Sequence, residues 1–353
     1  MRQARRGGVS AGPVNFESIL SADIHESGME CAGWPWVSIV VLAYNRRELL
    51  AVTLSKLREK LRYPSDRLEI IVIDNASQDG TDQMVTSEYP ETMLIRSEMN
   101  VGISGWNLGF TQGKGDYFLV LDDDCYLSGD SLRIAVTVAV SHQADLVSFV
   151  ARSTRDPAHV FNDEYNTGLL SFWGCAALIS RRAVQILGGF DTGIFLWAHE
   201  LEFTMRLLDR GLRHLFLPQV EAYHMVAPAT RLTPRFYLQN TRSLGYIAAK
   251  LLRTRHLGPV LINLATSAFL RSLMDWRLSG SLLTLIQGAR DGLRHKSSVR
   301  SDISALYRYH FIDFVSPFRF VRGTDMDSFT ARRRRFAHSR TDLYPLTSAW
   351  LQG

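Results

Sequence analysis

The sequence predicts an α/β protein with a mostly parallel sheet flanked by helices and a helical appendage at its C-terminal end. Three observations predict it. Apolar runs of strand length alternate with helix-length segments from Val37 onward, the pattern of βαβ units. Phe118 to Leu121 is an unbroken apolar run, as expected for a strand buried on both faces of a parallel sheet. That run stops in three carboxylates, Asp122, Asp123 and Asp124. Two unit charges about 4 Å apart interact by roughly 4 kcal/mol at a partly buried site, so three acids at one strand end call for a cation. One reading is an oxygen-ligated divalent metal that carries a diphosphate. The other is a solvated acidic turn, or a cap on the helix that Ser128 or Asp130 begins.

Taken in order, the first 36 residues carry Arg2, Arg5 and Arg6 with no apolar segment behind them, and read as a flexible leader. Val37–Ala43 is expected to be a strand, with Asn45 capping a helix that runs to about Leu61. Leu68–Asp74 is a second buried strand, and Asn75 to Thr81 a turn-rich loop that opens another helix. Met93–Arg96 gives a third strand, and Asn100 to Gly109 opens the helix before the acid-tipped strand. Tyr44-Asn45, Asp74, Asn100 and the three aspartates therefore all fall at strand ends. In open parallel sheets ligands gather at the carboxyl ends of strands, and the delivery of polar residues there by four strands is the sign of a site. The first turn, Ala43 to Arg47, has no glycine, so neither a dinucleotide fingerprint nor a Walker loop is present.

Composition narrows the class further. An apolar fraction of 46% and a charged fraction of 21% describe a globular chain. Its 353 residues can bury a large core. The net charge of +5 is modest, but from Arg290 to Arg340 twelve Arg or Lys residues face five Asp, the run Arg332 to Arg335 among them. That tail reads as a solvated basic face or as a contact for an anionic partner such as a membrane; no nucleic-acid partner is expected. Cys31, Cys125 and Cys175 are odd in number and form no CxxC, which favours a reducing compartment over a disulfide framework. The uncharged stretch Leu257 to Leu270 is shorter than the roughly 20 residues a spanning helix needs. A cytoplasmic protein, peripheral on a membrane's inner face at most, is the expectation. Nothing in the sequence specifies an oligomeric state.

The ordered set of motifs resembles family 2 glycosyltransferases of the GT-A fold. Val37 to Asn45, then Asp74-Asn75-Ala76-Ser77 with Gly80-Thr81, look like the family's opening. Asn100-x-Gly102 through Asn107-x-Gly109 resembles its rhamnosyl- and galactofuranosyl-transferase branch. Asp122-x-Asp124 sits where the family keeps its DxD, Phe195 to Glu202 with Arg206 where it keeps an acidic acceptor-side motif, and Leu217-Pro218 and Tyr223-His224 match its closing strand. The resemblance spans Val37 to about His224 and implies a GT-A domain over 37–230. Beyond it, Phe236 to Leu252, Leu257 to Trp276 and Leu282 to Leu293 read as helices, a helical appendage over 231–320, and a basic tail follows over 321–353.

It also implies roles. Asp74 would hold the base or ribose of a nucleotide-sugar donor, with Ala43, Tyr44 and Asn45 lining the same pocket and Asn100, Gly102 and Asn107 beside it. Asp122 and Asp124 would reach Mg²⁺ or Mn²⁺, Asp123 the ribose or sugar, and His224 would complete the metal shell. Glu200 is the implied general base for an inverting transfer to a saccharide or lipid-linked acceptor hydroxyl. The family usually has two adjacent acids there and this chain has His199-Glu200, so His199 and Glu202 stand as alternates. Glu202 and Arg206 are spaced as an i,i+4 pair, which leaves Glu200 the freer acid. Leu201, Met205 and Leu208 form the stripe that seats this helix. Trp173 to Ala177 reads as a small-residue strand in which Gly174 either lets a sugar approach the backbone or marks a bulge. The competing readings are a nucleotide-sugar-binding protein without catalysis and a nucleotidyltransferase on a similar sheet.

Overall fold

In the computed structural model the described residues are 33–156, 160, 170–225 and 233–314. The chain divides into two units, residues 35–325 and the two chain ends. Every strand and helix among the described residues lies in the first. Cys31 and the basic run Arg332 to Arg335 lie outside the described residues.

The three N-terminal strands fall where the apolar runs put them. β1 (Val37–Ala43), β2 (Leu68–Asp74) and β3 (Met93–Arg96) are joined by α1 (Arg47–Lys60) and α2 (Thr81–Glu88). A short 3₁₀ turn, Gly102–Gly105, leads into α3 (Trp106–Gln112) and then β4 (Tyr117–Asp122). β1 pairs with both β2 and β4 in parallel, and β2 with β3. Their central residues, Val40, Val41, Ile71, Val72, Leu119 and Val120, are fully buried, which is why these strands read as continuous apolar runs.

The second half of the sheet is mixed rather than parallel. β5 (Cys125–Leu127), α4 (Ser131–Ser141), β6 (Leu146–Ser153), β7 (Ala176–Ser180), α5 (Arg181–Leu187), α6 (His199–Asp209) and β8 (His214–His224) complete it. The strand order is β3-β2-β1-β4-β7-β6-β8-β5. β7 runs antiparallel to β4 and β6, and β5 antiparallel to β8, while β6 and β8 are parallel. The small-residue stretch is therefore a strand only from Ala176. Trp173, Gly174 and Cys175 form the turn before it.

Four helices follow: α7 (Pro234–Leu251), α8 (Thr254–Met274), α9 (Ser281–Arg294) and α10 (Ser301–Phe314). They belong to the same compact unit as the sheet. Lys250 on α7 makes an ion pair with Asp191 and another with Glu202 on α6, and Tyr307 on α10 donates to the Leu170 carbonyl at 2.7 Å. α8 is the one helix among the described residues long and apolar enough to cross a membrane, by length and composition.

Candidate active site

The register of β2, β1 and β4 fixes one edge of the site. Ala43 lies opposite Asp74, and Leu42 opposite Asp122, so the loops after three adjacent strands open side by side. Asp74 is fully buried. Its Oδ1 accepts the Ser77 N–H at 2.8 Å and its Oδ2 lies 3.5 Å from Arg96 Nε.

Asn45 does not cap α1, as its position before the helix suggested. It sits in the left-handed region at φ 52°, its Oδ1 accepts the Gln78 N–H at 2.8 Å, and its own N–H donates to Ser77 Oγ at 3.0 Å. The side chain is spent on lacing the β1 loop to the β2 loop. Asn75 extends the lacing: its Nδ2 donates to Asn100 Oδ1 at 3.0 Å and its Oδ1 accepts the Val101 N–H at 2.9 Å. Gly102 has φ +64°, and a Cβ there would lie 1.9 Å from the Phe195 carbonyl oxygen, so only glycine lets the two segments touch. Asn107 is likewise committed, its Nδ2 donating to the Phe190 carbonyl at 2.9 Å and its Oδ1 accepting the Phe190 N–H at 2.8 Å. Of the residues expected around a donor, Ala43, Tyr44, Asn45, Asp74 and Asn100 frame the edge, while Gly102 and Asn107 fasten it to the segment that carries Phe190 and Phe195.

The acids converge with a histidine. β8 returns beside β5, pairing His224 with Cys125, and His224 Nε2 comes within 3.2 Å of Asp124 Oδ1 with both side chains fully buried. Asp122, Asp124 and His224 each offer a ligand atom, all within 4.8 Å of one another. Two carboxylate oxygens and one imidazole form a donor set suited to Mn²⁺ or Mg²⁺, so the residues fit a divalent ion. Among the described residues no other such group of three is found.

Sequence reasoning missed the partner these acids already have. Arg46 Nη1 lies 2.7 Å from Asp124 Oδ2 and 3.1 Å from Asp123 Oδ1. Burial opposes the guanidinium charge, but Asp123, Asp124 and Asp122 around it more than restore it. Asp123 also accepts the Tyr44 N–H at 3.2 Å. Burial pushes the Asp123 carboxyl up to about 8, against the pull of Arg46. The only sequence cue was a basic residue after the β1 loop; its reach depends on the β1–β4 register.

The residues expected on the acceptor side gather around α6. Trp197 and Ala198 precede it with φ of 62° and 61°, two adjacent non-glycine residues in the left-handed region, a strain that clusters at functional sites. Glu200 Oε1 accepts the Gly174 N–H at 3.2 Å, and Oε2 lies 3.3 Å from His199 Nδ1. A Cβ on Gly174 would meet Glu200 Oε1 at 2.4 Å and His199 Nε2 at 2.8 Å. Gly174 thus makes room for the Glu200 carboxylate rather than marking a bulge. The neighbouring Cys175 carbonyl accepts the Asp122 N–H at 3.1 Å, so the anchors of the first site acid and of Glu200 are consecutive residues.

The two alternates differ in character. His199 is buried between the Trp106 and Phe190 rings, at centroid distances of 5.7 and 5.5 Å, and burial lowers its pKa against the opposing pull of Glu200. Glu202 is fully buried and grips Arg206 through two contacts of 2.7 Å; burial raises its pKa, with Arg206 opposing. Its acid is occupied in holding α6 to α7. Cys125 and Cys175, both reduced thiols, touch beneath the site with sulfurs 3.5 Å apart.

Comparison with known proteins bears on the first half of the chain. The glycosyl transferase family 2 model matches residues 38–188. Those residues form a family 2 glycosyl transferase domain. The family 2 match takes in the β1 loop, Asp74 and the three aspartates; Glu200 and His224 lie beyond it. A glycosyltransferase of Haloferax volcanii is 30% identical over 117 residues, 32% of this chain and 38% of that protein. An N-acetylglucosaminyl-diphospho-decaprenol L-rhamnosyltransferase of Mycobacterium tuberculosis is 23% identical over 279 residues, 66% of this chain and 85% of that one. The chain spans 38%, 23% and 20% of three curated relatives that it matches. Among solved structures, a mannosyltransferase of Pyrobaculum calidifontis, in complex with GDP-Man and Mn²⁺, superposes with a TM-score of 0.51 at 23% identity, covering 78% of this chain and 79% of that one. The sheet and its flanking helices are thus of the GT-A kind.

Proposed function

We propose that the protein is a metal-dependent, inverting glycosyltransferase that moves a sugar from a nucleoside-diphosphate donor to a hydroxyl of a saccharide or lipid-linked acceptor. The observation that carries this reading is the convergence of Asp122, Asp124 and His224 within 4.8 Å of one another, with Glu200 anchored one residue away through Gly174 and Cys175. The Mn²⁺ bound by the Pyrobaculum mannosyltransferase and the lipid-linked acceptor named for the mycobacterial relative point the same way.

In this mechanism Asp122, Asp124 and His224 would hold the divalent ion, which would supply charge neutralisation for the departing nucleoside diphosphate. Asp74 and the backbone of the β1 loop hold the nucleoside. Arg46 leaves Asp124 and turns to the diphosphate, bringing a second positive charge to the leaving group. Glu200 takes the proton of the acceptor hydroxyl as that oxygen attacks the anomeric carbon from the face opposite the diphosphate. Its carboxylate is aimed by the Gly174 N–H, and His199, kept uncharged by burial, does not compete as an acid beside it.

A thermal-shift screen of UDP-, GDP- and dTDP-sugars with Mn²⁺ tests the donor assignment, because a ligand that binds only the folded state raises Tm. A Mn²⁺-dependent shift with one nucleotide, lost in Asp74→Ala, is the expected result. No shift with any nucleotide would reject it.

A further inference from the structure

We propose that the α8–α9 hairpin is a docking surface for an anionic lipid bilayer, on which the protein lies without crossing it. This deepens the transferase reading by placing its acceptor in a membrane, and it rests on that reading only for that consequence.

The surface is set apart by where the exposed apolar side chains fall. Sixteen large hydrophobic residues are exposed among the described residues, and nine of them lie between Ile262 and Leu293. The other seven are scattered singly over the sheet domain, which is ordinary for any protein surface. Ile262, Phe269 and Leu273 recur at i, i+7 and i+11, one stripe along α8, while Val260, Leu264 and Ala268 on its other side are buried. Leu282, Ile286 and Leu293 repeat the spacing on α9. Between the stripes, at the turn, Met274 is 87% exposed and Trp276 81%. A tryptophan at such a position suits the bilayer interface, where its ring is apolar and its N–H stays wet.

Charge decides the occupant. From Thr254 to Arg294 the chain carries five arginines and two aspartates. Asp275 is paired with Arg277 at 2.8 Å, and Asp291 with Arg242 at 2.9 Å, so neither presents a bare negative charge. A basic hairpin with an apolar face is complementary to anionic headgroups over acyl chains. An interface between two copies would instead bring these arginines together with like charge.

The helix lies on the bilayer because its inner side is fastened to the protein. His256 Nδ1 meets Ser304 Oγ at 2.8 Å, and Asn263 Nδ2 donates to the Phe311 carbonyl at 3.0 Å. These polar side chains would have to be stripped from α10 for α8 to enter lipid on all sides. The hairpin is also joined to the acceptor side. α9 crosses α7 so closely that a Cβ on Gly288 would lie 2.0 Å from the Arg242 carbonyl oxygen. α7 in turn holds the loop before α6, through Ser243 Oγ donating to the Leu196 carbonyl at 3.1 Å and Phe236 against the Trp197 ring at 4.9 Å.

The test uses the full chain and vesicles of phosphatidylglycerol and phosphatidylcholine, with phosphatidylcholine alone as the neutral control. Wild-type protein is expected to float with the anionic vesicles, less so at high salt. The combined substitution Leu273→Ser, Met274→Ser and Trp276→Ser should weaken partitioning by at least about tenfold, or ~1.4 kcal/mol, with Tm and donor hydrolysis unchanged. Replacing Arg332 to Arg335 by serine should leave most of the binding in place. Brominated acyl chains should quench wild-type fluorescence more than that of Trp276→Phe, which places that ring in the lipid. Wild-type protein that ignores anionic vesicles would overturn the proposal. So would a triple variant that binds as well as wild type, or one whose only change is the loss of a dimer. Since flotation needs no turnover, a failed transferase reading with intact binding would leave the docking surface standing, and the reverse result would remove only the surface.

Discussion

Gly174→Ala adds one methyl group and tests whether the Glu200 carboxylate must sit where it does. The new Cβ would lie 2.4 Å from Glu200 Oε1, 3.0 Å from Glu200 Cδ and 2.8 Å from His199 Nε2. Ordinary van der Waals separation for these pairs is about 3.5 Å, so the carboxylate has to retreat by roughly 1 Å. Gly174 is not among the positive-φ glycines, so the backbone itself accepts alanine. His199 is packed between two rings and cannot yield; Glu200, whose side chain is 20% exposed, can. A 1 Å misplacement of a reacting group costs on the order of 10²-fold in rate, or ~2.7 kcal/mol in the barrier. The assay is steady-state transfer with donor and acceptor varied in turn, beside a melting curve. The expected result is kcat down by about that factor, with the donor KM close to wild type and Tm lowered by overpacking against the buried His199. An alanine variant at wild-type kcat would refute the assignment of Glu200 as base, because the carboxylate would have moved without consequence.

Other outcomes follow from the same geometry. Glu200→Gln keeps the shape and the Gly174 hydrogen bond but cannot take a proton, so transfer should fall by roughly 10²–10⁴-fold with donor binding intact; full activity would move the role to another group. Arg46→Ala removes the cation that holds Asp124, so Mn²⁺ affinity without nucleotide, read from the free-ion paramagnetic resonance signal, should rise severalfold. Unchanged or weaker affinity would contradict competition between Arg46 and metal. The lowered pKa of His199 makes stability pH-dependent: the native state refuses a proton that the unfolded chain accepts below its ordinary 6.5, so this contribution is present above pH 6.5 and lost as pH falls toward the folded value. The drop in urea midpoint between pH 7.5 and 5.5 should be smaller for His199→Phe than for wild type, and equal drops would contradict it.

Much of the scaffold could be read from the chain because burial on both faces writes a strand as a continuous apolar run. Val37–Ala43, Leu68–Asp74 and Met93–Arg96 are strands with those bounds, and the helices after Pro234 fall within a few residues of their apolar periodicities. Strand direction was less legible. Ala176–Ser180 carries no mark in its composition that it runs antiparallel between β4 and β6. Asn45 has the residue type of a helix cap, yet its φ of 52° turns the side chain toward Gln78, which only the neighbouring loop determines. Of the site, the aspartates were visible as residue types at strand ends, His224 and Glu200 only through the family resemblance, and Glu202 as the partner of Arg206. Arg46 was not, because a long side chain can reach many places and the register chooses among them. The role of Gly174 was hidden for the same reason: a missing Cβ gains meaning only when the atom that would collide with it is known.

Metal-assisted departure of a nucleoside diphosphate from a sugar is the central step of the proposed reaction, and the most direct measurement follows that diphosphate. Purified protein is incubated with UDP-, GDP- and dTDP-sugars in turn, and release of free nucleoside diphosphate is followed with Mn²⁺, with EDTA, and after Mn²⁺ is returned in excess. The predicted result is release from one donor that stops in chelator, recovers with Mn²⁺ and is absent in Asp124→Asn at unchanged Tm. Full release in EDTA, or an Asp124→Asn protein as active as wild type, would contradict it.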